Sequence, residues 1–192
     1  MEENPWKTLD AETMYESDWI KITKSNVLNP AGNPALYSWV HFKNLAIGIV
    51  PMDEHKNIWL VGQYRYPIDC YSWEIPEGGG KIGVDPKESA SRELLEETGI
   101  KAGNFSEILR MHLSNSATDE VSITFLATSL EYFSPEPEES EMLQIKKISL
   151  EEAFNWVSQG KITDAISVGS IQKLKIMDLT GELNLVLKNA YS

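Results

Sequence analysis

Cysteine is nearly absent from this chain: Cys70 is the only one, and the 3 histidines are scattered. A lone cysteine excludes an intramolecular disulfide, and this sparse set has no zinc-ligand spacing. Cys70 reads as a packing or loop residue rather than a nucleophile. Missing too is any apolar run near the roughly 18 residues of a membrane-spanning helix. The acidic start Met1-Glu2-Glu3-Asn4-Pro5 lacks the basic and apolar character of a secretory signal, so the expectation is a cytoplasmic chain. Positive charge is scarce: 17 Lys and Arg stand against 29 Asp and Glu, a formal net charge of −12. That balance argues against a nucleic-acid backbone as partner, which leans on Lys and Arg, and against an anionic membrane surface. An anionic substrate would need metal ions to screen it from this protein. Internal repeats and low-complexity tracts are absent as well.

What is present suits an enzyme-sized globular unit: 192 residues with 42% hydrophobic content are enough for a core. Residues 15–43 alternate polar and apolar around Asn29-Pro30-Ala31-Gly32-Asn33-Pro34, which predicts a hairpin or small antiparallel sheet. Leu45 to Pro51 and Asn57 to Tyr64 read as more continuously apolar strands joined by the polar turn Asp53-Glu54-His55-Lys56. Phe105 to Leu113, Val121 to Leu130 and Leu143 to Ile148 read as further strands. Ser149-Leu150-Glu151-Glu152 opens a helix that Gly160 stops, and a final helix is expected from about Asp164 to Met177. The resulting fold class is α/β in the α+β sense, a mixed sheet sandwiched between helices. Residues 1–44 form a small N-terminal antiparallel β subdomain in front of a main domain at 45–192.

The densest chemistry lies in Arg92-Glu93-Leu94-Leu95-Glu96-Glu97-Thr98-Gly99-Ile100. Asp85-Pro86-Lys87-Glu88 supplies an N-cap, a proline at the first helical position and an acidic first turn, and Gly99 supplies a left-handed stop. The helix therefore runs from about Pro86 to Thr98. Ala90, Leu94 and Leu95 give it an apolar stripe. Glu93, Glu96 and Glu97 fall on one side at three- and four-residue spacing, where each like-charge pair destabilises an isolated helix by about 0.2–0.5 kcal/mol. A divalent cation reverses that sign, and a cluster of carboxylates without His or Cys suits a hard one such as Mg²⁺. A solvated helix face with Arg92 and Glu96 paired is the alternative. Upstream, Trp73-Glu74-Ile75-Pro76-Glu77-Gly78-Gly79-Gly80 reads as a strand ending in a glycine loop, where backbone can approach a phosphate or metal.

From Gly78 to Ile100 the chain resembles the Nudix box: Gly, five residues, Glu, seven residues, then Arg-Glu-apolar-x-Glu-Glu-x-Gly-apolar. One fixed position departs, because Val84 stands where the family has its first Glu, which looks mainly structural and braces the box arginine. Arg92 can pair instead with Glu88 or Glu96. Gln63-Tyr64-Arg65, Trp73 to Pro76, Glu138 to Glu141, Phe154 to Val157 and Gly160-Lys161-Ile162 are similar to the ADP-ribose and nucleoside diphosphate sugar pyrophosphatases.

That resemblance implies Mg²⁺-dependent hydrolysis of a nucleoside diphosphate sugar, with Mn²⁺ as a possible substitute, to a nucleoside monophosphate and a sugar phosphate. It implies Glu93 and Glu97 as main metal ligands, Glu96 as a further ligand or bridge, the Glu77 carbonyl as a metal-bound oxygen, and Glu141 as a carboxylate from a mobile loop. Glu139 matches a proposed base, with Glu96 or a hydroxide needing no protein base as the rival. Arg65 can clamp a phosphate oxygen. Trp19 and Trp39 imply stacking of the nucleobase across a homodimer, against the alternative that both only pack, and Glu74 can accept from a base amino group. Ser116 replaces a proline typical of the ADP-ribose subgroup, which widens the expected substrates to ADP-ribose, ADP-glucose and GDP-mannose. The alternatives are a hydrolase of nucleoside triphosphates or dinucleoside polyphosphates, and a non-catalytic nucleotide-sugar sensor.

Overall fold

The structure, a computed structural model, describes residues 3–134 and 143–192. Its first sheet is antiparallel, in the order β1 (Lys7–Glu16), β2 (Ile20–Leu28), β3 (Pro34–Phe42). The β2–β3 hairpin matches the alternation in residues 15–43. Its turn is closed by the Asn29 side chain, which accepts from Ala31 N and Asn33 N at 3.0 Å each, and by Gly32 at φ +82. Strand β1 was not anticipated. All ten of its residues are exposed, so no burial pattern marks it, and backbone pairing to β2 alone makes it a strand.

The remaining chain runs β4 (Asn44–Pro51), β5 (Asn57–Arg65), a 3-10 turn (Tyr66–Ile68), β6 (Cys70–Glu74), β7 (Glu77–Lys81), α1 (Pro86–Thr98), β8 (Ile100–His112), β9 (Val121–Tyr132), β10 (Gln144–Ser149), α2 (Leu150–Ser158), α3 (Ala165–Leu179) and α4 (Glu182–Ala190). One sheet has the order β7-β4-β9-β8, with β4 and β9 parallel and the other pairs antiparallel; a second has the order β10-β5-β6. Ala90 and Leu94 of α1 pack on one side against Ile47, Ile49, Ile123 and Phe125. Ala153, Ile166, Ile171, Leu174, Leu183 and Leu187 of α2, α3 and α4 pack with Val50, Leu60, Ile75 and Leu126 in a second cluster. Sheets between helices are thus the architecture, as the strand and helix signals imply.

Two element readings are corrected. Glu77 to Lys81 is strand β7, pairing Ile47 with Gly78 and Leu45 with Gly80, and not a glycine loop. Its glycines carry no side chain to alternate, and a methyl at Gly80 would lie 2.7 Å from Ile47 Cγ1, so this close pairing favours glycine. The helix from Asp164 is not the last: Gly181 at φ +79 stops α3's continuation and α4 follows, burying Leu183 and Leu187 four residues apart. Cys70 opens β6 and is exposed, so it does not serve packing. Among the described residues no helix is long and apolar enough to cross a membrane. Glu139 and Glu141 lie outside the described residues.

Candidate active site

Helix α1 has the bounds its capping signals imply. Asp85 accepts from Lys87 N at 3.0 Å, and Gly99, at φ +68, donates its N–H to Leu95 O at 2.9 Å. Its acidic face is organised around Arg92, which donates to Glu93 Oε1 at 2.7 Å, Glu96 Oε2 at 2.8 Å and the Gly79 carbonyl at 3.2 Å. This answers the substitution at Val84: Glu96, Glu93 and a β7 carbonyl hold the arginine. Val84 itself is exposed on the wall of a cavity of about 750 Å³ that Arg92, Glu93 and Glu88 also line. Burial works against the Arg92 charge, and Glu93 and Glu96 outweigh it, holding the guanidinium pKa above its usual value. The half-exposed Arg92–Glu96 pair contributes about 0.2–1 kcal/mol, too little to lock that carboxylate against a competing cation.

The other carboxylate of the face is sealed. Glu97 is 2% exposed and accepts from Glu77 N at 3.1 Å. A charge at such depth needs compensation from neighbours or a bound cation. Glu93 lies against the β7 backbone, where a methyl on Gly78 would overlap its carboxyl group. Among the described residues no three acidic, His or Cys side chains are already gathered as a cage for a metal ion, and Arg92 bridges Glu93 and Glu96. The donor chemistry nevertheless fits a hard divalent cation: oxygens only, on one helix face, with Gly78 leaving the space beside Glu93 that a side chain would fill.

Beside this face the corner between β6 and β7 carries a second polar group. Arg65 Nε lies 3.1 Å from both Glu74 oxygens and Nη2 lies 2.5 Å from Oε2, while Glu74 is 3% exposed. Glu74 therefore orients Arg65 in this structure, where the sequence suggested an acceptor for a base. Arg65 lines a neighbouring pocket of about 430 Å³ with Ser72 and Asp164. The Glu77 carboxyl accepts from Ser167 Oγ at 3.1 Å; its burial, then the Asp164 carboxylate, pushes its pKa well above the usual carboxylate range. Sequence reasoning missed Ser167, since a serine inside a helix carries no motif, and treated Asp164 only as a helix start.

The two tryptophans occupy different places. Trp19, 65% exposed, lines the 750 Å³ cavity, and a methyl on Gly79 would come within 3.3 Å of its Cζ3. Trp39 is half-buried and lines another cavity with Trp6 and Tyr37. One chain thus sets Trp19 beside the carboxylate helix and Trp39 elsewhere. The loop containing Ser116 anchors the first sheet: Tyr37 Oη donates to Ser116 O at 2.7 Å, Val40 N to Ala117 O at 2.9 Å and Phe42 N to Asp119 Oδ1 at 2.9 Å.

A family model described as NUDIX domain matches residues 42–166. The chain is 28% identical over 174 residues to an ADP-ribose pyrophosphatase of Bacillus subtilis, covering 90% of this chain and 94% of that protein. It is 30% identical over 175 residues to an ADP-ribose pyrophosphatase of Mycobacterium tuberculosis, covering 89% and 84%. It is 27% identical over 208 residues to an ADP-sugar pyrophosphatase of Mus musculus, covering 100% and 92%. A crystal structure of an ADP compounds hydrolase shares the fold, with a TM-score of 0.84 at 20% identity over 95% of this chain and 98% of that one.

Proposed function

The chain belongs to the NUDIX domain family, and on that premise we propose that it hydrolyses the pyrophosphate bond of nucleoside diphosphate sugars to a nucleoside monophosphate and a sugar phosphate. The substrate class is that of ADP-ribose, ADP-glucose and GDP-mannose. The observation that carries the proposal is the carboxylate face of α1, with Glu97 sealed against the β7 backbone and Glu93 beside Gly78. Relatives named for ADP-ribose and ADP-sugar cleavage, which align along most of the chain, support it.

Glu93, Glu96, Glu97 and the Glu77 carbonyl would hold the divalent cation, Mg²⁺ with Mn²⁺ as substitute, and Glu141 would complete the set. When bound, the cation supplies neutralisation of the pyrophosphate charge and activation of water. Arg92 keeps Glu93 and Glu96 in register with β7 until substrate and cation arrive. Arg65, aimed by Glu74, takes a phosphate oxygen. Trp19 offers its exposed face to the nucleobase, and Trp39 is offered across a homodimer built on residues 1–44. Glu139 takes the proton of the attacking water, with Glu96 as its rival for that role.

The test is a panel of ADP-ribose, ADP-glucose, GDP-mannose, UDP-glucose and deoxynucleoside triphosphates with Mg²⁺, products resolved by chromatography. Nucleoside monophosphate released from the sugar-linked substrates is the expected result. Turnover of triphosphates alone would assign the chain to a different substrate class within its family.

A further inference from the structure

Three consecutive residues at the β6–β7 corner are tied to three different elements. Ile75 N donates to Ser167 Oγ of α3 at 2.9 Å, the Pro76 carbonyl accepts from Ile49 N of β4 at 2.8 Å, and Glu77 N donates to Glu97 Oε2 of α1 at 3.1 Å. The Ser167 hydroxyl also donates its one proton to Glu77 Oε1 at 3.1 Å, so a single side chain grips both ends of the corner. Ser167 is 0% exposed. Its own N–H donates at 2.7 Å to Asp164 Oδ2, the cap of α3, which fixes the hydroxyl to the first turn of that helix. The helix is pressed on the sheet there: a methyl on Gly48 of β4 would lie 2.8 Å from Ile166 Cγ2.

We propose that Ser167 is a positioning residue for the cation site, setting the Glu77 N–H and carbonyl in place and, through that N–H, orienting the Glu97 carboxylate. Groups that hydrogen-bond a ligating side chain or its support typically change metal affinity by about 10- to 100-fold when removed. Deleting the Ser167 hydroxyl removes the acceptor of the buried Ile75 N–H and the donor to Glu77 together. The corner must then shift to satisfy them, and Glu97 shifts with it. Ser170 provides an internal control. It lies three residues on along the same helix and is equally buried, but its hydroxyl donates to Thr124 Oγ1 of β9 at 3.0 Å and not to Ile75, Pro76 or Glu77.

This inference rests on the reading of Glu97 as a cation ligand. The experiment compares wild type, Ser167→Ala and Ser170→Ala for Mn²⁺ binding to the substrate-free protein by electron paramagnetic resonance, and for kcat and KM with ADP-ribose. Ser167→Ala is expected to weaken Mn²⁺ binding about 10-fold or more and to lower kcat more than it raises KM, while Ser170→Ala keeps wild-type affinity. Ser167→Cys, similar in volume and poorer in hydrogen bonding, is the second variant should the alanine protein not fold; it is expected to weaken Mn²⁺ binding to a smaller degree. Wild-type Mn²⁺ affinity in whichever Ser167 variant folds overturns the proposal, as does an absence of Mn²⁺ binding in the wild type. A wild type that binds Mn²⁺ but cleaves no nucleotide sugar overturns the proposed function, and the Mn²⁺ titrations then decide on Ser167 alone.

Discussion

Glu97 combines depth with charge, and that combination makes it the most informative single residue. A surface glutamate tolerates neutralisation; this one is 2% exposed and held by the Glu77 N–H. Glu97→Gln keeps the shape and an acceptor oxygen but discharges the group. The expected outcome is a folded protein by circular dichroism with kcat lowered by about 10²- to 10³-fold, the scale at which losing one charge-stabilising group acts. Near-normal turnover would count against a cation held on this face. Residue by residue, helical spacing put Glu93, Glu96 and Glu97 on one side of α1 near Arg92, and the resemblance to the Nudix box gave them their expected roles. The sequence did not reveal that Glu74 spends its carboxylate on Arg65, nor that Ser167 supports the corner, because those pairings are nine and ninety residues apart and depend on how strands and α3 meet. The loss of the usual box glutamate at Val84 left the arginine's brace open, and the structure answers with Glu96, one of the two partners the helical spacing offered, together with Glu93 and the Gly79 carbonyl.

At the scale of elements, α1 and β7 form the working unit. The helix was legible to its ends because Asp85, Pro86 and Gly99 are local signals whose meaning does not depend on the rest of the fold. Strand β7 was misread because three consecutive glycines imitate a loop, and only pairing with β4 shows them extended. Its glycines serve close approach: the three atoms nearest a methyl at Gly78 all belong to the Glu93 carboxyl group. Gly78→Ala should therefore displace the Glu93 carboxylate while leaving the strand intact, since alanine is better tolerated than glycine inside a strand. The expected result is a thermal midpoint close to wild type with kcat down by about 10²-fold, the cost of misplacing a catalytic group by an ångström. A variant that keeps full activity would show that Glu93 works from some other position. Strand β1 and helix α4 were missed for opposite reasons. Strand β1 exposes every residue and so carries no burial pattern, and α4 is short and follows a glycine stop that reads as an end.

At the scale of the whole molecule, the first sheet is the part whose chemistry is least spent. Leu9, Met14 and Tyr15 of β1 are each more than half exposed, as is Leu36 of β3, and Tyr66 and Ile68 beside the β5–β6 hairpin add to the apolar surface. The exposed apolar side chains of β1 and β3 are the surface that a dimer built on residues 1–44 would cover. The dimer proposed on residues 1–44 predicts twice the chain mass by light scattering at micromolar concentration. A monomer under those conditions removes the cross-subunit role of Trp39 while leaving Trp19 in place beside α1. The mixed sheet between helices was legible because the apolar strand runs and the capped helices each carry local signals, strands leading and helices closing the chain. How the described strands divide into three sheets was not, because strand order depends on contacts between distant segments such as β4 with β9. The net charge of −12 acts at this scale too, since it repels an anionic pyrophosphate and cations between the two would screen that repulsion.

The most direct test of the whole account is the fate of ADP-ribose incubated with the purified protein, followed by ³¹P NMR with Mg²⁺ present and with the metal chelated. The account predicts conversion to AMP and ribose 5-phosphate with Mg²⁺ and no turnover with chelator. Release of ADP and free ribose, turnover that persists without divalent metal, or no reaction at all would contradict it.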